Sequence, residues 1–331
     1  MKKIIFLVFL CFALQASEMS IYDQSSSSSI SSIKKNNSST IVMFPIISAL
    51  IEAEGKFMSW NVEWTGINAA QKIFLRNFFA KQNELGYFTR EEIRSWASQD
   101  YEELNSIACN NGFNIQFKPF RPHEFGSLSI LEVNINWLEK GIVTSLEYAD
   151  EIYKAAKIKN NNFNVYELNE NIYTYPIIEI KTQNTDTVYM TIADEPCSGF
   201  FLMKKINSLR DTISHRDNDQ NHGICKLLDY DEVIFPFVNL NQEVDISWLK
   251  GMYANDGPIV SQALQQIKFK MNEFGAEVKS AVMVAMCKSI GPREIKRLNI
   301  NKPFYLWIER ENCTIPVFAG YIDPSDWIKV Y

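Results

Sequence analysis

Lys270-Met-Asn-Glu-Phe-Gly-Ala-Glu-Val-Lys-Ser-Ala-Val-Met-Val284 is the stretch on which the reading of this chain turns. From Ala276 the residues alternate. Ala276, Val278, Ser280, Val282 and Val284 form an uncharged set, whereas Glu277, Lys279, Ala281, Met283 and Ala285 form a second set that holds both charges. A strand with one buried face needs this pattern, because successive side chains point to opposite faces. Gly275 opens the run and admits backbone conformations closed to other residues. The thirteen residues from Ala276 to Lys288 would span roughly 43 Å when extended. A domain of about 290 residues is on the order of 50 Å across. The segment therefore reads as a strand that could cross most of the molecule.

Outward from this stretch, the bulk numbers describe a globular protein. The chain has 331 residues, 46% of them hydrophobic, enough for a sizeable core. A net charge of -6 argues against nucleic acid as the main partner, since phosphate binding needs a basic surface. Residues 1–16 carry two lysines, a short apolar run and a small residue at Ala16, the pattern of a secretory signal peptide. That run is too short to span a bilayer comfortably, so a secreted, extracellular protein without stable membrane association is expected. Residues 17–40 are rich in Ser and Asn and read as a flexible leader unable to bury a core. The globular part is assigned to residues 41–331. Beyond the leader, Cys109, Cys197, Cys225, Cys287 and Cys313 are scattered and form no CxxC pair, which matches neither a disulfide framework nor a zinc site. His215 and His222 fall in a polar stretch that reads as a solvated loop rather than a metal site.

Helices come first and strands after. Ile41–Glu54 reads as a buried helix that follows a turn at Pro45 and ends near Gly55. Residues 66–108 read as mainly helical, with Thr89-Arg-Glu-Glu92 as a capping box opening a further helix. Strand patterns follow at Phe113–Lys118, Leu128–Ile135, Thr187–Ile192 and Phe304–Glu309. Val244–Lys250 reads as a strand end or a helical turn. The order predicts one mixed α+β domain with a large sheet. The sequence holds no GxSxG elbow, HExxH or P-loop. The expectation is a protein that is not an enzyme and uses no cofactor.

At this point the sequence resembles a family. Lys270–Glu277 resembles the serpin hinge, where an Asn/Asp-Glu-x-Gly-x-Glu run leads into the reactive-centre loop. Asn301-Lys-Pro-Phe-Tyr-Leu-Trp-Ile-Glu309 is similar to the family's returning strand, and Pro316–Pro324 to its final strand and C-terminal turn. Tyr175–Ile180 with Thr187–Glu195 resembles its paired central strands. Phe235–Met252 is similar to a strand leading into a short helix, and Val133–Gly141 to the strand beneath the hinge. The resemblance implies a single serpin-like domain with a long five-stranded central sheet, two smaller sheets, a helical cap and an exposed loop. It further implies a suicide substrate: a protease cuts the loop, which then inserts into the central sheet.

On this resemblance Glu273, Gly275, Ala276, Glu277, Val278 and Ser280 form the hinge, and Lys288-Ser289 is the bait bond. Counting forward from the hinge glycine falls on Ser289. Counting back from Asn301-Lys-Pro-Phe304 falls near Pro292-Arg293, which leaves Arg293-Glu294 as the alternative. Either basic residue suits a pocket with an acid at its base. The expected partner is a trypsin-like serine protease, with a cysteine protease as a further class, met by a monomer. The alternative function is a non-inhibitory serpin-fold binding protein.

The chain also departs from the family. The first helix is replaced by the serine-rich leader, and the Ser-Pro-x-Ser-x-Ser motif is reduced to Phe44-Pro-Ile-Ile-Ser48. Gln265 stands where the family has a histidine and is expected to bond Asn134 or Asn136. Residues 118–128 leave little room for the helix that crosses the sheet.

Overall fold

Phe304-Tyr-Leu-Trp-Ile-Glu-Arg310 is aromatic and apolar on both faces, and it forms a strand buried at six of its seven residues. In this computed structural model, which describes residues 37–58, 61–159, 161–169, 172–214, 225–255, 257–276 and 295–330, that strand lies near the middle of the largest sheet. The sheet is antiparallel throughout, in the order β1 (Ser39–Ile41), β19 (Phe318–Ile322), β18 (Phe304–Arg310), β10 (Asp186–Ile192), β9 (Ile177–Ile180), β8 (Phe163–Leu168) and β11 (Cys225–Leu228). A second sheet runs β17 (Arg297–Asn299), β12 (Glu232–Pro236), β7 (Glu151–Lys159), β6 (Ile142–Tyr148), with β17 parallel to β12. Four further pairs complete the strands: β13 (Val238–Val244) with β15 (Gln265–Met271), β3 (Ile93–Ser98) with β4 (Gly126–Leu131), β5 (Ile135–Asn136) with β16 (Gly275–Ala276), and β2 (Trp64–Thr65) with β14 (Tyr253–Ala254).

The helices are α1 (Phe44–Phe57), α2 (Ala69–Asn77), α3 (Tyr101–Asn110) and α4 (Gly199–Ser214). Helix α1 begins on Pro45, which suits a first helical turn, and buries Phe44, Ile46, Ile47, Leu50 and Ala53 along one face. It passes Gly55 and ends at Phe57. Strand β4 alternates buried and half-buried residues. Its Leu128 and Ile130 pack against Leu104 and Ala108 of α3. Its Ser129 pairs across Ser95 of β3, and the Ser95 hydroxyl is 2.7 Å from that of Ser48 on α1. Strands β3 and β4 thus lie between α1 on their inner face and α3 on their outer one. Among the described residues, no helix is long and apolar enough to cross a membrane.

Several expectations need correction. Ser39 and Thr40 belong to β1 and pair with Tyr321 and Gly320, so the folded part begins before residue 41. Ladder bonds to β19 hold these polar residues where composition alone assigns them to the leader. Thr89 and Glu92 do exchange the two bonds of a capping box, but a strand follows, β3, rather than a helix. The box closes a turn because Glu92 is drawn onto the Arg310 guanidinium. Phe113–Lys118 alternates yet joins no ladder. Among the described residues the central sheet is not one continuous five-stranded body: it is split into the pairs β13–β15 and β3–β4, joined at one end by β5–β16.

A hinge already paired at the mouth of a slot

Strand β15 leads straight to the hinge. Its Gln265, Ile267, Phe269 and Met271 are buried, while Lys268 and Lys270 are exposed, as an alternating strand requires. The chain then reverses within four residues. Phe274 N–H donates to the Asn272 side chain at 2.8 Å, and Asn272 N–H donates to the Gly275 carbonyl at 3.0 Å. Gly275 and Ala276 emerge as β16, antiparallel to β5, with Gly275 opposite Asn136 and Ala276 opposite Ile135.

Gly275 is required at this position. Its φ is +146°, and a Cβ there would lie 1.9 Å from the Ile135 carbonyl oxygen. Ile135, opposite Ala276 in this pair, is fully buried in the main core.

Trp137 fastens the turn. Its backbone N–H donates to the Phe274 carbonyl at 3.0 Å and its indole N–H to the Asn272 carbonyl at 2.9 Å. Glu273 contributes its carbonyl, which accepts from Gly141 N–H at 2.7 Å. The Lys140 ammonium sits 4.0 Å from the centre of the Phe274 ring. Sequence reasoning placed Val133–Gly141 beneath the hinge but did not single out Trp137. A tryptophan in the run Asn136-Trp-Leu-Glu-Lys140, beside polar and charged neighbours, was the available signal.

Below the hinge lies a slot. Strands β4 and β15 run in the same direction, yet among the described residues no ladder joins them. Between them is a cavity of about 590 Å³ floored by Pro45, Ile46 and Ala49 of α1 and walled by Ser127 and Ser129 on one side and Ile267 and Phe269 on the other. Among the described residues, the Ser129 hydroxyl is buried without a hydrogen-bond partner. Phe113 and Phe117 line its outer mouth. Gln265 does not reach Asn134 or Asn136. Its amide donates to the Val42 carbonyl at 2.8 Å and ties β15 to the start of α1 instead. Its inward position on β15 points it at the helix, away from the strand across the slot.

The other end of the loop is anchored in the second sheet. Lys296 and Asp231 exchange two bonds of 2.9 Å, and Arg297 holds the Glu232 carboxylate at 2.7 Å, with Lys157 at 3.4 Å on its other oxygen. Burial alone would raise the Glu232 carboxyl; the two cations outweigh it and hold that carboxyl below its ordinary range. Glu277, Val278, Ser280, Lys288, Ser289, Arg293 and Glu294 lie outside the described residues, as do Cys287, His215, His222 and residues 1–36.

The mixed α+β architecture expected from the resemblance is present, and solved structures share the overall fold. Serpin48 of the insect Tenebrio molitor, described as a highly specific serpin, matches over 86% of this chain and 91% of its own, with a TM-score of 0.54 and 13% identity. The chain has the serpin fold. Mouse protein Z-dependent protease inhibitor matches over 86% of this chain and 90% of its own, with a TM-score of 0.50 and 14% identity. Thyroxine-binding globulin, solved with thyroxine, gives 86%, 92%, 0.50 and 9%. No family profile matches the sequence, and no curated protein does. At these identities the likeness is one of fold.

Proposed function

We propose that this protein is a secreted inhibitor of a trypsin-like serine protease, which it traps as a suicide substrate by inserting its cleaved loop into the slot. The observation that carries the reading is the pairing of Gly275 and Ala276 with β5. The loop's first residues already stand as a strand between β5 and β15, with the cavity directly ahead of them.

Continuing that antiparallel register down β4 sets each later loop residue against a strand residue. Val278 would meet Val133, Ser280 would meet Leu131, and Val282 and Val284 would meet Ser129 and Ser127. In three of these four pairs a large residue falls opposite a serine, and the serine wall of the cavity provides the room. The valines in this loop are therefore not an obstacle to insertion. Burying each contributes about 1.5–3 kcal/mol, and each new backbone bond about 0.5–1.5 kcal/mol. Insertion after cleavage is strongly downhill on these terms. The protein itself catalyses nothing in this reading: the protease serine attacks the carbonyl of the bait bond, the amine on its far side leaves, and the ester that joins the two proteins is not hydrolysed.

Lys288-Ser289 is the proposed bait bond, with Arg293-Glu294 as the alternative. The test is incubation with trypsin followed by a denaturing gel. A covalent complex of summed mass is expected, and it should disappear in Lys288→Ala/Arg293→Ala. Complete cleavage without a complex would sink inhibition of this protease class and leave a serpin-fold binding protein as the reading.

A further inference from the structure

An outer strand of a sheet carries unpaired backbone groups that can add a further strand, and proteins blunt such edges with short length, Pro, bulges or Lys. Of the four outer strands of the two larger sheets, three are blunted. β1 and β17 have three residues each and β11 has four, with Arg297 in β17 and Lys226 in β11. β6 is different. It has seven residues, Ile142-Val-Thr-Ser-Leu-Glu-Tyr148, with no Pro, Lys or Arg among them. All seven pair with β7 in one unbroken register. Ile142 is 44% exposed and Val143 54%. Among the described residues the backbone of β6 bonds only to β7, so its outer edge is open along its length.

The sequence of this edge fits a second copy of itself. An antiparallel pair about a twofold axis uses all seven residues only when the axis passes through Ser145. Ile142 of one copy then faces Tyr148 of the other, Val143 faces Glu147, Thr144 faces Leu146, and Ser145 faces Ser145. No like charges oppose one another. On β7, Lys154 stands opposite Ser145, on the face that also carries Glu147. The two Lys154 and two Glu147 of such a pair alternate in sign around the paired serines. The two Glu147 stand four residue steps apart, roughly 13 Å, beyond the screening length of about 8 Å.

We propose that β6 is a dimerisation edge, through which two copies of this chain join antiparallel about Ser145 and make one continuous sheet of their two four-stranded ones. The inference goes beyond inhibition and stands whether or not the loop inserts. One pair of strands is a small interface, below about 1,200 Å², so a dissociation constant in the micromolar range is expected. Sedimentation equilibrium of the full chain at concentrations up to about 1 mM should show monomer and dimer in exchange. Ser145→Lys sets two ammonium groups face to face, in line with the two of Lys154. It should weaken association tenfold or more, with the melting temperature as the check on folding. Val143→Lys, which would face Glu147, should leave the dimer at least as tight. Ser145→Cys brings two thiols within disulfide reach and should cross-link the dimer under mild oxidation, beyond any link the unaltered protein forms. Glu147→Cys, about 13 Å from its counterpart, should not. A monomer at every concentration overturns the proposal. So does a dimer that tolerates Ser145→Lys and links no better through Ser145→Cys than through Glu147→Cys, because that dimer forms elsewhere.

Discussion

Gly275 concentrates the hinge in one residue. Its φ of +146° and the 1.9 Å approach of its missing Cβ to the Ile135 carbonyl leave no room for any side chain. Gly275→Ala should force β16 off β5 and cost about 1–3 kcal/mol of local strain, seen as faster amide exchange at Ala276 and slower capture of protease. An unchanged exchange rate would show that the pairing does not depend on this glycine. The glycine was legible in the sequence as the opening of an alternating run. Its contact was not, because the partner carbonyl is about 140 positions away. Gln265 shows the same limit from the other side: its capacity to donate was readable, but its acceptor, Val42, depends on where α1 begins.

At the scale of elements, the proposed insertion turns the loop into a strand between β4 and β15. On that reading the uncharged set beginning at Ala276 would face inward, since Ala276 stands opposite buried Ile135. Val282→Glu would put a carboxylate beneath the sheet, where burying an unpaired charge is expensive, and should abolish complex formation while trypsin still cleaves. Ala281→Glu, on the outward set, should reduce it by no more than about threefold. Equal loss in both variants would refute the register. Strand alternation in the sequence was genuine where one face is buried, as in β4, whose residues alternate buried and half-buried. It misled at Phe113–Lys118, where the pattern reflects aromatics packing on α3 and polar atoms meeting β15, with no ladder at all. Nor could the capping box at Thr89 announce that β3 would follow, since the pull on Glu92 comes from Arg310, remote in sequence.

At the scale of the molecule, Arg310 fastens the β3–β4 half to the main sheet. It is 7% exposed and bonds Asp186 on β10 through two nitrogens at 2.8 and 2.9 Å, and Glu92 at 2.7 and 3.0 Å. Burial alone would raise the Glu92 carboxyl; the bonds from Arg310 and Thr89 override it and lower it below its ordinary value of 4.5. A carboxyl lowered in the folded state stabilises the fold fully above its unfolded value, and the contribution is lost as pH falls through the folded one. The melting temperature should therefore drop as pH falls below about 4.5, and Glu92→Gln should melt lower at neutral pH but with a shallower acid slope. Parallel curves for the two proteins would mean that Glu92 carries none of the acid sensitivity.

By itself the sequence determined the class of fold and the glycine that opens β16, because these follow from periodicity and backbone sterics within a few residues. Only the tertiary structure decided that the central sheet stands open and that Trp137 clamps the turn. Those features arise where segments more than a hundred positions apart meet, and local pattern carries no record of which polar atoms will find one another. The turn at Gly275 was therefore readable in the sequence, while the open slot beside it was not readable at all.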